Sequence, residues 1–287
     1  MLSLNKYNSL AKFMTFSEKN LIILPINGIY YLACTENNST IAKKRFESVL
    51  MRHVDVETLW HSNNLINSNL PSWLINSWQS IISDYLQFQD SSNLLHNYST
   101  NPKVIKFLEA HDGNLFITPA SVRKLPPASN LNMLNSYFSQ FLQPIILNQN
   151  LSGISATRIQ IKNNNVNITE PGSLSYRELK AIIPNSYILE RSYNLVENTK
   201  VQIIMKHNHI IGTREDFKNI LHKSNQYNIG SRTNPENIAH NLFINIWQHV
   251  NQISQDEIIA IEQKFHSHKL SDFINYNLQK YLMVGQI

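Results

Sequence analysis

Apolar residues fill positions 21–24 and 29–34 almost without a break, and the stretch between them ends in Asn27-Gly28. Two adjacent residues that tolerate positive φ are what a tight hairpin turn needs, so the pattern predicts a β-hairpin over 21–34. From Ile41 the period changes. Phe46, Val49, Leu50, Leu59 and Trp60 recur near helical spacing, which predicts a helix over about 41–60. A second helix is predicted from Ser72 to about residue 89, with Trp73, Leu74, Trp78, Ile81, Ile82 and Tyr85 on one stripe and Pro71-Ser72 as its start. A short helix over 102–110 follows, then a turn at Asp112-Gly113-Asn114 into a strand over 115–118. Residues 118–127 hold Pro119, Pro126 and Pro127 and are not an ordinary helix. Ser129 is then read as the cap of a helix to about 142.

The second half has a different texture. Ala156, Arg158 and Gln160 alternate with Thr157, Ile159 and Ile161, the period of a strand. Residues 162–165 turn and 166–169 return. Ser173 is read as the cap of a short helix to Ile182, and strands are expected near 186–196 and 200–206. Thr213 begins a helix to about 222, with acidic residues in its first turn where the helix dipole favours them. Asn234-Pro235 is another helix start, Asn at the cap and Pro at the first helical position. Helices are expected to Val250, over 254–265 and over 270–283.

Strands in hairpins rather than in alternation with helices predict an α+β class, not a doubly wound parallel sheet. The expected order is a helix-rich N-terminal half (1–150, with the hairpin), an antiparallel meander and a helical C-terminus (151–287). A boundary near 148–153 or one continuous domain both fit this order.

Composition narrows the partners. The chain has 287 residues, 42% of them hydrophobic, enough for a real core. Its net charge of +5 comes from 25 basic and 20 acidic residues and is scattered. The longest basic cluster, Lys43-Lys44-Arg45, falls in a helical pattern and is expected to be a solvated face, so nucleic acid is an unlikely partner. The lone Cys34 sits in an apolar run. It is expected to be a small buried residue, and a chain with one cysteine forms no internal disulfide, which fits a reducing compartment. Residues 1–16 lack the layout of a secretory signal, and 21–34 is too short and interrupted to cross a bilayer. A cytoplasmic protein is the expectation.

The strong catalytic signatures are missing. There is no phosphate-binding glycine loop, nucleophile elbow, H-E-x-x-H or kinase motif, and one cysteine cannot make a C-x-x-C site. No cofactor, metal or catalytic residue is therefore assigned. Dispersed groups remain as candidates. On a helix, His53, Glu57 and His61 would lie along one side as a possible metal triad. His207 and His209 would share a face if extended. Arg123 and Lys124 sit in the proline-bracketed loop, a rigid loop of the kind that presents binding groups. Arg158, Arg177 and Arg191 would form an anion pocket if the fold gathered them.

The aromatics suggest docking. Trp60, Trp73, Trp78 and Trp247 all fall in predicted helices, and Tyr276 and Tyr281 in the last one. Exposed aromatics beside an uncharged surface favour protein–protein contact. Trp73, Trp78, Tyr276 and Tyr281 are the partner-binding candidates.

Asparagine fills 38 positions, with runs such as Asn163 to Asn165, Asn63-Asn64, and Asn148 and Asn150 around Gln149. In this wording the chain resembles proteins of AT-rich intracellular bacteria, and in size it resembles the cytoplasmic accessory subunits of type IVB (Dot/Icm) secretion coupling complexes. The resemblance implies a non-enzymatic subunit that binds other protein subunits, with homodimerisation as one mode. The leading expectation is thus a non-catalytic adaptor of a bacterial secretion assembly. The alternative is a secreted effector enzyme that uses dispersed His and Arg residues on an anionic substrate, and the third is nucleic-acid binding.

Overall fold

The computed structural model of the chain describes residues 2–3, 21–36, 38–60, 70–77, 86–89, 95–99, 101–109, 114–122, 125–138, 144–145, 151–193, 209–218, 225–250, 258–261 and 268–285. The class is α+β. One 11-stranded mixed sheet carries β1 (Leu2–Ser3), β2 (Ile22–Ile26), β3 (Ile29–Cys34), β4 (Glu57–Trp60), β5 (Leu86–Gln89), β6 (Leu95–Tyr98), β7 (Asn114–Pro119), β8 (Pro144–Ile145), β9 (Thr157–Lys162), β10 (Asn165–Glu170) and β11 (Ile188–Arg191). Their spatial order is β1-β8-β2-β3-β7-β4-β6-β5-β9-β10-β11. A four-stranded sheet holds β12 (His209–Gly212), β13 (Asn225–Asn228), β14 (Ile258–Ile261) and β15 (Met283–Gly285), in the order β13-β12-β14-β15.

The hairpin of β2 and β3 forms as its sequence predicts. Asn27 and Gly28 take φ of 47° and 82°, and Leu24 pairs with Tyr31 across the ladder. The first helix, α1 (Ser39–Leu50), starts at Asn38, whose side chain accepts from the Thr40 backbone at 2.7 Å. It buries Ala42, Phe46 and Leu50, spaced four apart. Lys43 and Lys44 are on its exposed face, while Arg45 pairs with Glu36.

The helix does not run to residue 60. Met51 turns into the left-handed region (φ 53°), its N–H closing on the Glu47 carbonyl, and the chain re-emerges as β4. Spacing alone could not reveal this, because Leu59 and Trp60 happen to continue the helical phase. The helix α2 (Ser72–Ser77) is also shorter than expected, and Leu86 to Gln89 form a strand; residues 78–85 lie outside the described residues. The helices α3 (Pro102–Glu109), α4 (Leu131–Phe138) and α5 (Tyr176–Ile182) match three expected segments, with small shifts at their starts. The caps are Asn130, whose side chain accepts from Met133, and Ser175, which forms a reciprocal capping box with Glu178.

The four-stranded sheet is parallel throughout, unlike the hairpins expected of this chain. A helix separates each consecutive pair of strands: α6 (Arg214–Phe217), α7 (Pro235–Val250) and α8 (Ser271–Tyr281). The segment expected as a helix over 254–265 holds β14 instead. Four apolar residues in a row do not distinguish a buried strand from a helical turn. The strand expected over 200–206, together with His207, lies outside the described residues.

One apolar core joins the two sheets. It runs from Ile22, Leu32 and Phe46 to Ile211, Phe243, Phe273 and Leu278. A second cluster, with Leu74, Phe88, Ile159, Ile168 and Leu179, packs under α2 and α5. Ile159 belongs to that second cluster, so its neighbour Arg158 points to the other face of the sheet. There, between the large sheet and α8, lies a cavity.

Candidate functional site

The cavity has a volume of about 570 Å³ and is built from the large sheet, its loops and the helices α7 and α8. The large sheet supplies Tyr31 from β3, Thr118 from β7, Glu57 from β4, Gln87 from β5, Arg158 from β9 and Glu170 from β10. The loop after α1 adds Arg52 and Asp55, and the segment after β7 adds Ser121 and Leu125. Phe243 of α7 and Asn277, Lys280 and Tyr281 of α8 close it. A polar row thus crosses the inner face of a sheet whose other face is apolar at the same strands.

Its charges alternate. Glu57, 1% exposed, accepts from Arg158 at 2.9 Å and from the Asn97 side chain at 2.7 Å. Arg158 reaches Glu170 at 3.3 Å with its other terminal nitrogen, and Lys280 holds both Glu170 oxygens at 3.2 and 3.3 Å. The Nε of Arg158 is buried and has no hydrogen-bond partner among the described residues. Beside this row, Gln87 donates to the Tyr31 hydroxyl at 2.6 Å.

The two carboxylates diverge in strength. Burial pushes Glu57 up to about 7, against the opposing pull of Arg158 and the Asn97 hydrogen bond. Burial also acts on Glu170, but Arg158 and Lys280 together outweigh it and hold that carboxyl below its usual range. For Arg158, burial is outweighed by Glu170 and Glu57, so the guanidinium is held more firmly protonated than usual. Burial pushes the phenol of Tyr31 well up, with Glu57 adding to it.

Arg52 is a cation of another kind. Its Nε donates to the Ser121 carbonyl at 2.9 Å, and its terminal nitrogens donate to the Ser121 hydroxyl at 2.8 Å, Pro119 carbonyl at 3.3 Å and His53 carbonyl at 3.1 Å. It forms no ion pair among the described residues. Burial lowers its pKa. The cavity therefore holds three cations (Arg52, Arg158, Lys280) facing three acidic side chains (Asp55, Glu57, Glu170), with one cation uncommitted to a carboxylate.

The residues singled out from sequence fall in several places. Glu57 lines the cavity, but the His53 side chain is fully exposed with its ring on Glu47, and His61 lies outside the described residues. A strand replaces the helix that would have aligned them. No group of three metal-ligating side chains occurs among the described residues. Arg158 lines the cavity, whereas Arg177 is exposed and Arg191 pairs with Asp272 and covers the Tyr176 ring. Arg123, Lys124 and Trp78 lie outside the described residues.

Trp73 is half-buried, edge-on to Tyr187 at 5.6 Å, against the second cluster. Trp60 is in a strand, its ring 3.9 Å from His96. Trp247 packs on the main core. Tyr276 packs edge-on to Tyr193, and burial, with Glu170 beside it, pushes its phenol up to about 12. Tyr281 lines the cavity, edge-on to Phe243. Sequence reasoning passed over Gln87, Asn97, Glu170 and Lys280. The strand alternation that faces Arg158 away from Ile159 was the one available signal for this face of the sheet, and it does not reach Lys280 on α8.

No family model matches the chain, and no curated protein matches it in sequence. Solved structures do match. A doubly substituted variant of P. abyssi Sua5 aligns with a TM-score of 0.73 at 14% identity, covering 100% of this chain and 97% of that one. P. abyssi Sua5 complexed with L-threonine gives a TM-score of 0.71 at 14% identity, over 96% of this chain and 95% of that one. This overturns the resemblance to Dot/Icm coupling subunits, which rested on asparagine-rich wording and size. The expectation of a non-catalytic secretion adaptor falls with it, since its support was that wording and the silence of local motifs. Neither the effector nor the nucleic-acid alternative fits better. Over its whole length, this chain has the fold of Sua5.

Proposed function

We propose that the chain is an enzyme of the threonylcarbamoyl-AMP synthase type, acting in RNA modification, and that its cavity takes L-threonine or a similar small amino acid. The observation that carries this is the alternating row Glu57, Arg158, Glu170, Lys280 on the cavity wall. A free amino acid is a zwitterion. It needs a carboxylate and a cation close together in a partly desolvated wall, where each charge interaction is stronger than in water. The cavity supplies both signs in contact. The complex of P. abyssi Sua5 with L-threonine supports the same ligand class.

Arg52 gives the second half of the reading. A cation without a carboxylate partner suits a further anionic group, and the phosphoryl of an adenylate is such a group. Four hydrogen bonds to fixed oxygens orient the guanidinium before a ligand arrives. Preorganisation of this kind lets a charged group stabilise developing charge without reorganising. A cytoplasmic setting belongs to the same proposal, supported by Cys34, a buried free thiol. Among the described residues, no helix is long and apolar enough to cross a membrane.

The test is product formation. The protein is incubated with L-threonine, ATP and bicarbonate, the simplest sources of the three parts of the product, and mass spectrometry follows the adenylate. Threonine-dependent appearance of that mass is expected. Binding of L-threonine with no such product would remove the reaction and leave the amino-acid site.

A further inference from the structure

We propose that a zwitterionic ligand inserts into the Glu170–Lys280 ion pair, its ammonium on Glu170 and its carboxylate on Lys280. The assignment rests on the amino-acid site proposed above and makes Lys280 a specificity-determining residue.

The helix α8 carries Asp272, Tyr276 and Lys280 at four-residue spacing, so all three lie along one side. Each meets one of the last two strands of the large sheet or the residues just after them. Asp272 accepts from the Tyr193 hydroxyl at 2.6 Å and pairs with Arg191 at 3.2 Å. Tyr276 packs on Tyr193 and lies close enough to Glu170 for that carboxylate to raise its phenol pKa. Lys280 bridges both oxygens of Glu170. Phe273, Ile274 and Leu278 of the same helix are in the main core. The helix is therefore fixed by its first turn and its apolar face. Release of Lys280 from Glu170 would leave it in place.

The two ion pairs of the wall differ in how easily they open. Glu57 is 1% exposed and Arg158 19%, so separating them would strand a buried charge. Glu170 is 29% and Lys280 40% exposed, and a pair so open to solvent contributes little to stability. Glu170 keeps Arg158 at 3.3 Å when Lys280 leaves, which holds it in place and ionised. An amino acid presents its ammonium and carboxylate on one carbon, a spacing that spans two groups parted by a short movement of a flexible lysine. The inserted ligand would satisfy both charges, and Asn277 and Tyr281 of the same helix flank that position within the cavity.

Calorimetric titration tests this on the full chain with L-threonine and L-threoninamide, which keeps the ammonium and lacks the carboxylate. The unmodified protein is expected to prefer L-threonine by about tenfold or more, equivalent to ~1.4 kcal/mol. Lys280→Met is expected to lose that preference, binding both compounds alike at an unchanged melting temperature, and Lys280→Arg to recover part of it. L-threonine binding by Lys280→Met with the preference intact would overturn the assignment and leave the amino-acid site standing. A Lys280→Met protein that melts earlier and loses both ligands equally would also overturn it, in favour of a structural role. Failure of the unmodified protein to bind L-threonine would remove the amino-acid site, and this assignment with it.

Discussion

Arg158 donates to Glu57 at 2.9 Å although two strands of the sheet, β6 and β5, lie between the strands that carry them. The residues are 101 positions apart in the chain. The contact is a product of sheet topology, and it ties the acidity of Glu57 to the charge balance of the whole cavity.

That coupling has a pH signature. An unfolded glutamate titrates near ~4.3, and burial pushes folded Glu57 up to about 7. The folded state thus binds more protons across that window, so Glu57's contribution to stability is greatest below it and is lost as pH rises through 7. Its full size is on the order of 4 kcal/mol at most, from ~1.4 kcal/mol per pH unit. Glu57→Gln stays neutral at every pH. Its stability relative to the unmodified protein is expected to rise between pH 5 and pH 8, read from urea midpoints. A constant difference across the range would contradict a raised pKa for Glu57.

Arg52 is held by geometry as well as by charge. Lysine keeps the charge but has one nitrogen, and it cannot reach Ser121, Pro119 and His53 together. Arg52→Lys is expected to cost about 1–2 kcal/mol in urea denaturation. A neutral result would mean that those hydrogen bonds do not hold the loop.

The hairpin turn is fixed by a close approach. Gly28 has φ +82°, and a Cβ there would sit 2.2 Å from the Ile154 carbonyl oxygen. The Gly28 carbonyl meanwhile accepts from Gly153 at 3.0 Å. Gly28→Ala is therefore expected to destabilise by about 2 kcal/mol or more. A melting temperature within error of the parent would show that the two loops separate freely.

Trp73 carries packing weight. Its ring meets Tyr187 and the second apolar cluster, and its truncation leaves a void there. Trp73→Ala is expected to lose about 2–3 kcal/mol, below the range for a fully buried tryptophan because it is half-buried. Chemical denaturation measures this, and an unchanged midpoint would make the ring a free surface group.

The parts of this fold that were legible in sequence are those with local chemistry. Asn27-Gly28 marks its turn, Asn234-Pro235 starts α7, and the alternation around Arg158 reveals β9. The Met51 reversal was not legible, because an exposed methionine in the left-handed region has no signature and Leu59 preserves the helical phase beyond it. The short parallel strands near Ile211 and Ala260 were hidden by their length. Lys280 and Glu170 lie 110 positions apart. Only the packing of α8 over the sheet brings them together, so no spacing rule could have paired them.

The most direct measurement of the central claim is a calorimetric titration of the full chain with L-threonine, alongside Arg158→Met. The account predicts saturable one-to-one binding by the unmodified protein and about tenfold or greater loss in the variant, since Arg158 holds both carboxylates of the wall in place. No detectable heat with the unmodified protein at millimolar L-threonine, or equal affinity in both proteins, would contradict it.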